Sequence, residues 1–176
     1  MSTHIYKIKF SKPSYQLNDD YDRLSEIEKE KINVKNELIN AALSDYQPEN
    51  NRSQVKELEN NTLILDCYNA NPSSMNAALE SFAQIPHERK LAILGDMLEL
   101  GAVSAAEHSS ILAACNKLSI PVLTVGLEFE GVNTGAHHYR DTSALIASTV
   151  LSSFENYLIL IKGSRGIGLE QVAHLL

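Results

Sequence analysis

The stretch TLILDCYNANPSS, residues 62–74, carries the pattern on which the fold prediction depends. Its first four residues form a continuous apolar run, which is typical of a strand buried on both faces of a sheet. A carboxylate, two asparagines and a proline follow, and the segment from Ser73 to Phe82 then has the apolar spacing of a helix. A buried strand, a polar turn and a helix in this order indicate a βαβ unit.

The same alternation of strand and helix continues along the chain. Strands separated by helices of about 10–15 residues predict a mostly parallel sheet with helices on both faces. The runs 54–58 and 62–68 predict a hairpin that adds one antiparallel strand at an edge. The fold class is therefore α/β, with a Rossmann-like sheet. The remaining predicted strands are 90–94, 120–125 and 157–161, and the remaining predicted helices are 104–118, 142–154 and 169–175.

The first 48 residues differ in character from the rest of the chain. They are rich in Lys, Glu, Asn and Tyr, and their patterns predict a strand over 4–10 and a helix over 19–44. A polar segment that contains a proline follows over 46–51 and predicts a linker. We therefore divide the chain into a strand–helix appendage, residues 1–48, and a Rossmann-like domain, residues 49–176.

Composition excludes several classes of function. The 176 residues carry a formal net charge of −7, which disfavours nucleic acid or an anionic membrane as the main partner. No apolar run approaches the roughly 20 residues of a membrane-spanning helix, and the N-terminus has no apolar core of a secretory signal. Two cysteines cannot form a disulfide scaffold or a four-thiolate zinc site. These features predict a cytoplasmic protein.

Polar clusters follow three of the predicted strands. They occupy Asp66–Ser73, Gly95–Gly101 and Lys162–Gly166. Because ligands of open α/β sheets bind beyond the carboxyl ends of the strands, we expect the three clusters to meet at one rim. This rim is the predicted binding site.

The first cluster has the groups that a nucleotide requires. Asp66 can accept a hydrogen bond from a ribose hydroxyl, and its place at the end of an apolar strand favours a functional role. Asn69 and Asn71 offer donors and acceptors that suit an adenine edge. Asn71 also precedes Pro72, so a role as a helix cap remains an equal alternative.

The third cluster is a compact set of hydrogen-bond donors. Lys162, Ser164 and Arg165 can bind a carboxylate or a phosphate, and a solvated loop is the alternative interpretation. The chain contains neither GxxxxGK[ST] nor GxGxxG. It therefore lacks a phosphate-binding loop of its own, and a nicotinamide-dependent oxidoreductase is disfavoured.

Other candidate residues point less clearly to chemistry. His108, beside Glu107, can be read as a base or a metal ligand, although a lone helical histidine more often lies in the core or at the surface. His137 and His138 have no third ligand nearby, and Cys67 has no positive neighbour that would activate its thiol. We predict no metal site.

Three motifs resemble those of the Mur ligase family, in its MurF type. The motif that begins at Asp66 is similar to the family pattern D-x-YNANP-x-SM. Residues 51–54 resemble the connection between the family's central and C-terminal domains. The motifs are DCYNANPSSM at 66–75, LGDMLELG at 94–101 with Ser104 and His108 after it, and KGSR at 162–165 with Glu170 after it.

The resemblance implies a reaction. Members of this family use ATP and Mg²⁺ to join D-Ala-D-Ala to UDP-MurNAc-tripeptide through an acyl phosphate, in peptidoglycan synthesis. Residues 49–176 resemble the C-terminal domain, and residues 1–48 would be the residual end of the central ATPase domain. The N-terminal and central domains would be partners, and the phosphate and metal site would lie on the central one. The chain is thus predicted to be inactive alone, or else to be a standalone nucleotide- or dipeptide-binding module.

The resemblance also implies roles for residues of the rim. Four residues are implied nucleotide contacts, three are implied contacts of the dipeptide or the reacting phosphate, and three belong to the rim without an assigned role. They are, in that order, Arg52, Asp66, Asn69 and Asn71; Lys162, Ser164 and Arg165; and Asp96, Glu99 and His108.

Overall fold

The computed structural model of the protein describes residues 53–132 and 137–176. Six strands in this part of the chain form one sheet in the order β1-β2-β6-β3-β4-β5. β1 pairs with β2 antiparallel, and all other neighbours are parallel. The predicted α/β fold with an antiparallel edge strand is therefore confirmed. The strands are β1 (Gln54–Glu57), β2 (Asn61–Asp66), β3 (Lys90–Gly95), β4 (Val122–Val125), β5 (His137–Tyr139) and β6 (Tyr157–Lys162).

Helices cover both faces of this sheet. Alternate residues of β6 explain why its sequence is continuously apolar: Ile159 and Ile161 face one core, and Leu158 and Leu160 face the other. The α-helices are α1 (Pro72–Gln84), α2 (Ser104–Lys117), α3 (Leu127–Glu130) and α4 (Thr142–Ala147). The 3₁₀ helices are Gly101–Val103, Val150–Ser153, Arg165–Ile167 and Leu169–Leu175.

Local sequence determines where α1 begins and which face it buries. Asn71 caps the helix, and Pro72 occupies the first helical position, where its missing N–H is not needed. Met75, Leu79 and Phe82 recur at helical spacing and are buried. Burial of these side chains, at about 1.5–3 kcal/mol for each one that is fully buried, favours packing of the helix on the sheet.

The structure departs from the predicted elements in the second half of the chain. The helix expected over 142–154 ends at Ala147, and a separate 3₁₀ turn follows. Ser148 Oγ donates to the carbonyl of Leu145 at 2.6 Å, and Thr149 adopts the left-handed conformation with φ of 58°. The hydroxyl therefore competes with the helical hydrogen bonds that the apolar spacing predicted.

Three further differences concern short elements. β5 and α3 were not predicted, since three and four residues are too few to show a period. The predicted helix over 169–175 is present, but it is a 3₁₀ helix. No helix among the described residues is both long and apolar enough to cross a membrane. The strand over 4–10, the helix over 19–44, the linker over 46–51 and Arg52 lie outside the described residues.

Candidate functional site

The carboxyl ends of three neighbouring strands lie level with one another. Lys162 at the end of β6 is in register with Asp66 of β2 on one side and with Leu94 of β3 on the other. The loops that follow these strands are therefore adjacent. We call them the β2 loop (residues 67–71), the β3 loop (residues 96–100) and the β6 loop (residues 163–168), and together the rim.

Hydrogen bonds join the β3 loop to the β6 loop. The Ser164 backbone N–H donates to the Asp96 carbonyl at 3.0 Å, and the Leu98 N–H donates to Ser164 Oγ at 2.9 Å. Ser164 is buried, so its hydroxyl is committed to the loop. Ser164 therefore connects two loops, and its predicted contact with a carboxylate or phosphate stays a prediction.

A close backbone contact fixes the spacing of β3 and β6. A Cβ atom placed on Gly163 would lie 2.9 Å from Gly95 Cα and 3.1 Å from a methyl carbon of Leu169. Real Cβ atoms do not approach a backbone carbon so closely. Glycine at this position therefore allows the two loops to meet.

Lys162 and Asp66 form an ion pair with each other. Lys162 Nζ lies 2.6 Å from Asp66 Oδ2 and donates also to the Asn69 carbonyl at 3.1 Å. The Lys162 side chain is 2% exposed and that of Asp66 is 21% exposed. The sequence assigned these two residues to different ligands, whereas the structure joins them and so connects the β2 loop to β6.

Arg165 keeps an exposed guanidinium on the rim. Its Cζ lies 5.7 Å from the centre of the Tyr68 ring, within the range of a cation–π contact, and Tyr68 is 40% exposed. This contact crosses from the β6 loop to the β2 loop. Of the three donors that the sequence assigned to the third cluster, Arg165 is the one whose charge faces solvent.

The two asparagines of the β2 loop are exposed. Asn71 Oδ1 accepts from the Ser74 N–H and from Ser73 Oγ, both at 2.9 Å, so the cap that the sequence left as an alternative is present. The Asn71 amide nitrogen makes no hydrogen bond within the described residues. The Asn69 side chain extends from the same loop, beside the carbonyl that Lys162 contacts.

Asp96 lies beneath the rim, not on it. The residue is 2% exposed, and its carboxylate accepts from the N–H groups of Glu128 and Phe129 at 2.9 and 3.0 Å, which caps α3. Burial raises the pKa of this carboxyl above its ordinary value, and the two N–H donors act in the opposite direction. Asp96 therefore serves the fold at this point of the chain.

His108 is also buried, with an exposed fraction of 0%. Its Nε2 accepts from the Met97 N–H at 3.0 Å, and its Nδ1 donates to the Ser104 carbonyl at 2.8 Å. These partners assign the Nδ1–H tautomer. The Asp96 carboxylate lies 3.8 Å from Nε2. The histidine therefore holds the β3 loop from below, as a satisfied core residue.

Glu99 is the member of the second motif that remains on the surface. It is exposed and adopts φ of 67°, a left-handed conformation that is uncommon for residues other than glycine. The backbone therefore turns sharply at this point, and no contact within the described part of the chain assigns the exposed Glu99 side chain a role.

Among residues 53–132 and 137–176, no group of three or more His, Cys, Asp or Glu side chains is placed to hold a metal ion. His138 Nδ1 lies 3.0 Å from Thr124 Oγ1, as a hydrogen-bonded residue of the β4–β5 pair. Cys67 is 2% exposed, and burial is the main cause that raises the pKa of its thiol to about 12. It is a packing residue.

Glu170 received no role from the sequence although it is part of the third motif. This residue lies in the last 3₁₀ helix, and its buried Oε2 has no hydrogen-bond partner among the described residues. Tyr68 was similarly passed over, since an isolated tyrosine gives no signal of the arginine that lies over it. Arg52, an implied nucleotide contact, lies outside the described residues.

Comparison with known proteins agrees with the motifs. Residues 51–165 match the family described as Mur ligase, glutamate ligase domain. The UDP-N-acetylmuramoyl-tripeptide–D-alanyl-D-alanine ligase of Escherichia coli K12 is 38% identical over 128 residues, which cover 69% of this chain and 28% of that protein. The ligase of the same name from Rickettsia prowazekii is 33% identical over 138 residues, covering 74% and 30%.

The fold is also found in a solved structure. The crystal structure of MurF ligase from Thermotoga maritima in complex with ADP matches with a TM-score of 0.65 and 25% identity, over 76% of this chain and 32% of that one. The chain spans less than a third of the length of these relatives. Motifs, topology and sequence identity agree, and the chain therefore belongs to the Mur ligase family.

Proposed function

We propose that the chain acts as the C-terminal domain of a ligase that joins D-Ala-D-Ala to UDP-MurNAc-tripeptide in peptidoglycan synthesis. The observation that carries the proposal is the rim, where three loops with MurF-type motifs are held together by the Ser164 and Lys162 contacts. Relatives with 33–38% identity over this region bear the name of that ligase.

In the proposed reaction, ATP phosphorylates the terminal carboxylate of the tripeptide. The amine of D-Ala-D-Ala then attacks the acyl phosphate, so that an amide bond forms and phosphate leaves; the other product is ADP. The chain has no GxxxxGK[ST] sequence, so we assign the phosphate-binding loop and the Mg²⁺ site to another domain. Among the described residues, no group of three or more His, Cys, Asp or Glu side chains is placed to hold Mg²⁺.

The rim would bind the nucleotide and the second substrate and would exclude water from the acyl phosphate. The Asn71 amide nitrogen and the Asn69 side chain are exposed groups that suit the nucleotide base or ribose. The resemblance assigns Arg52 to the phosphates. The Arg165 guanidinium suits an anionic group of the second substrate or the transferring phosphate. Lys162, Asp66 and Ser164 would hold these loops in place. Closure of the rim over the acyl phosphate would protect it from hydrolysis.

A chimera tests this proposal. The matching segment of the Escherichia coli ligase is replaced by residues 51–176, and phosphate release that requires both UDP-MurNAc-tripeptide and D-Ala-D-Ala is measured. We expect ligation by the chimera and none by the chain alone. Arg165→Gln should lower the rate, and Lys56→Met, on the exposed face of β1, should not. A folded chimera without dipeptide-dependent phosphate release contradicts the proposal.

The absence of a phosphate-binding loop motif favours one alternative, a non-catalytic binding module. Calorimetry of the chain with ADP distinguishes the two, since tight binding together with an inactive chimera identifies the module. Asn71→Ser separates the two roles of Asn71, because serine also caps helices but lacks the amide. We expect Asn71→Ser to retain stability and to weaken nucleotide binding in the active chimera.

A further inference from the structure

A cleft opens at the edge of the sheet opposite the rim. Its lining includes the first residues of β3, β4, β5 and β6, so the cleft follows the amino ends of these strands. Its volume of about 640 Å³ lies within the range of small-molecule sites in proteins, about 300–1,000 Å³. Apolar side chains that keep part of their surface accessible form much of the wall. They include Leu118, Pro121, Val122, Phe154 and Tyr157.

Lys90 supplies one positive charge to the lining, but this charge is already used. Its Nζ donates to the carbonyls of Phe82 and Ala83, at 3.1 and 2.7 Å. Both carbonyls belong to the last turn of α1, where helical carbonyls need donors from outside the helix and carry partial negative charge. Lys90 therefore neutralises the end of α1, and another group of the cleft has to bind any ligand that is an anion.

Arg89 is a cation of the cleft that keeps donors for a ligand. Its Cζ lies 5.9 Å from the centre of the Tyr157 ring, and its Nη1 donates to the carbonyl of Glu155 at 3.3 Å. These two contacts hold the guanidinium against the wall and use one of its five N–H groups. Arg89 is exposed, and it pairs with no carboxylate within the described part of the chain.

The lining has an excess of positive charge. Among its described residues, Arg89 and Lys90 exceed the carboxylate of Glu88 by one charge, although the whole chain carries a net charge of −7. The imidazoles of His87 and His137 add hydrogen-bond donors. An excess of one charge suits a monoanion, because a phosphate dianion would place an unbalanced negative charge beside Glu88.

The geometry points to this cleft as a binding site for a small monocarboxylate with an apolar body, such as an acid that carries an aryl or a branched alkyl group. The free N–H groups of Arg89 would bind the carboxylate, and a guanidinium can do so through two parallel hydrogen bonds. The apolar body would cover Leu118, Pro121 and Val122 and remove their accessible surface from water. The site does not use the rim, and the inference does not depend on the proposed function.

NMR titration of the full chain with three probes, up to about millimolar concentration, tests this inference. The probes are 3-phenylpropionate, its uncharged amide, and acetate, which lacks the apolar body. We expect 3-phenylpropionate to bind about tenfold more tightly than either of the others and to shift the amide signals of the cleft residues.

Three variants test the assignment of the carboxylate to Arg89. Arg89→Gln should abolish the preference for 3-phenylpropionate over its amide. Arg89→Lys, which keeps the charge, should retain this preference and shows whether a loss in Arg89→Gln comes from the charge. Arg140→Gln removes the same charge from an exposed position that follows β5, at the other edge of the sheet, and should also retain the preference.

Four results would overturn the inference. They are no binding of 3-phenylpropionate, equal binding of its amide, a preference that persists in Arg89→Gln, and signal shifts confined to the rim. Each of these results leaves the proposed function untouched, because the chimera tests that function without any of the three probes.

Discussion

The ion pair between Lys162 and Asp66 leads to a quantitative prediction. The two side chains differ in their access to water, with exposed fractions of 2% and 21%. Replacing Asp66 by Asn leaves an enclosed ammonium with a neutral neighbour, whereas replacing Lys162 by Met leaves a carboxylate that water can reach. The two substitutions should therefore differ in their effect on stability although they break the same contact.

The structure sets the magnitudes. Removal of one partner from a buried ion pair costs about 3–5 kcal/mol. For Asp66→Asn we expect about 3 kcal/mol, since the Asn69 carbonyl continues to accept from Lys162. For Lys162→Met we expect about 1 kcal/mol, because methionine fills a similar volume and the Asp66 carboxylate keeps its access to water. The double variant should resemble Lys162→Met, since it leaves no buried charge.

Urea unfolding measures these differences. The urea midpoint should shift while the slope m stays constant, which shows that the free energy of unfolding changed and the surface exposed on unfolding did not. Lys56→Met and Glu57→Gln, both exposed on β1, should stay within about 0.5 kcal/mol of the wild type. Equal losses for Asp66→Asn and Lys162→Met, or a larger loss for Lys162→Met, would refute the argument from unequal burial.

Three further predictions follow from single positions. Gly163→Ala should destabilise the protein by about 1–3 kcal/mol, because the new Cβ would lie 2.9 Å from Gly95 Cα. Gly131→Ala, whose Cβ would have its nearest neighbour at 3.8 Å, should be neutral or stabilise the protein by up to about 1 kcal/mol. Equal melting temperatures for the two variants would contradict this prediction. Cys67 and Cys115 are buried, with the pKa of each thiol raised, to about 12 and about 11, so neither should react with a disulfide reagent in the native protein, and both should react in urea. Burial raises the pKa of Asp96 in the folded protein above its unfolded value of 3.8, so protonation of Asp96 stabilises the fold fully below pH 3.8, and this stabilisation is lost as the pH rises through the folded pKa. The stability difference between the wild type and Asp96→Asn should therefore become smaller as the pH rises from 3.8 to the folded pKa. A stability difference that does not change with pH would contradict this prediction.

Local sequence patterns were sufficient to predict the strands and the helix that supply most of the core. The apolar runs of β2, β3 and β6 and the spacing of Met75, Leu79 and Phe82 specify strand or helix without knowledge of their neighbours. The end of α4 was not predictable in this way. The apolar spacing continues past Thr149, and the break depends on the hydrogen bond from Ser148, which spacing does not reveal.

The site was predictable at the level of loops but not of contacts. The rule that ligands bind at the carboxyl ends of strands predicted which segments meet. It did not predict that Asp66 and Lys162, which are 96 residues apart, bind each other, because that follows from β6 lying next to β2. Nor does a motif distinguish Asp96 and His108, which support the rim from below, from Arg165, which is exposed on it.

The position of β6 in the sheet has a consequence for how the domain is made. β6 is the last of the described strands in the chain, yet it lies between β2 and β3. During synthesis, the hairpin β1-β2 and the group β3-β4-β5 emerge first and share no strand-to-strand contact, so they cannot join in one sheet before β6 is available. Their exposed edges are joined only when residues 157–162 have left the exit tunnel, which makes the final step of assembly one of long-range pairing and leaves nascent chains open to aggregation until then.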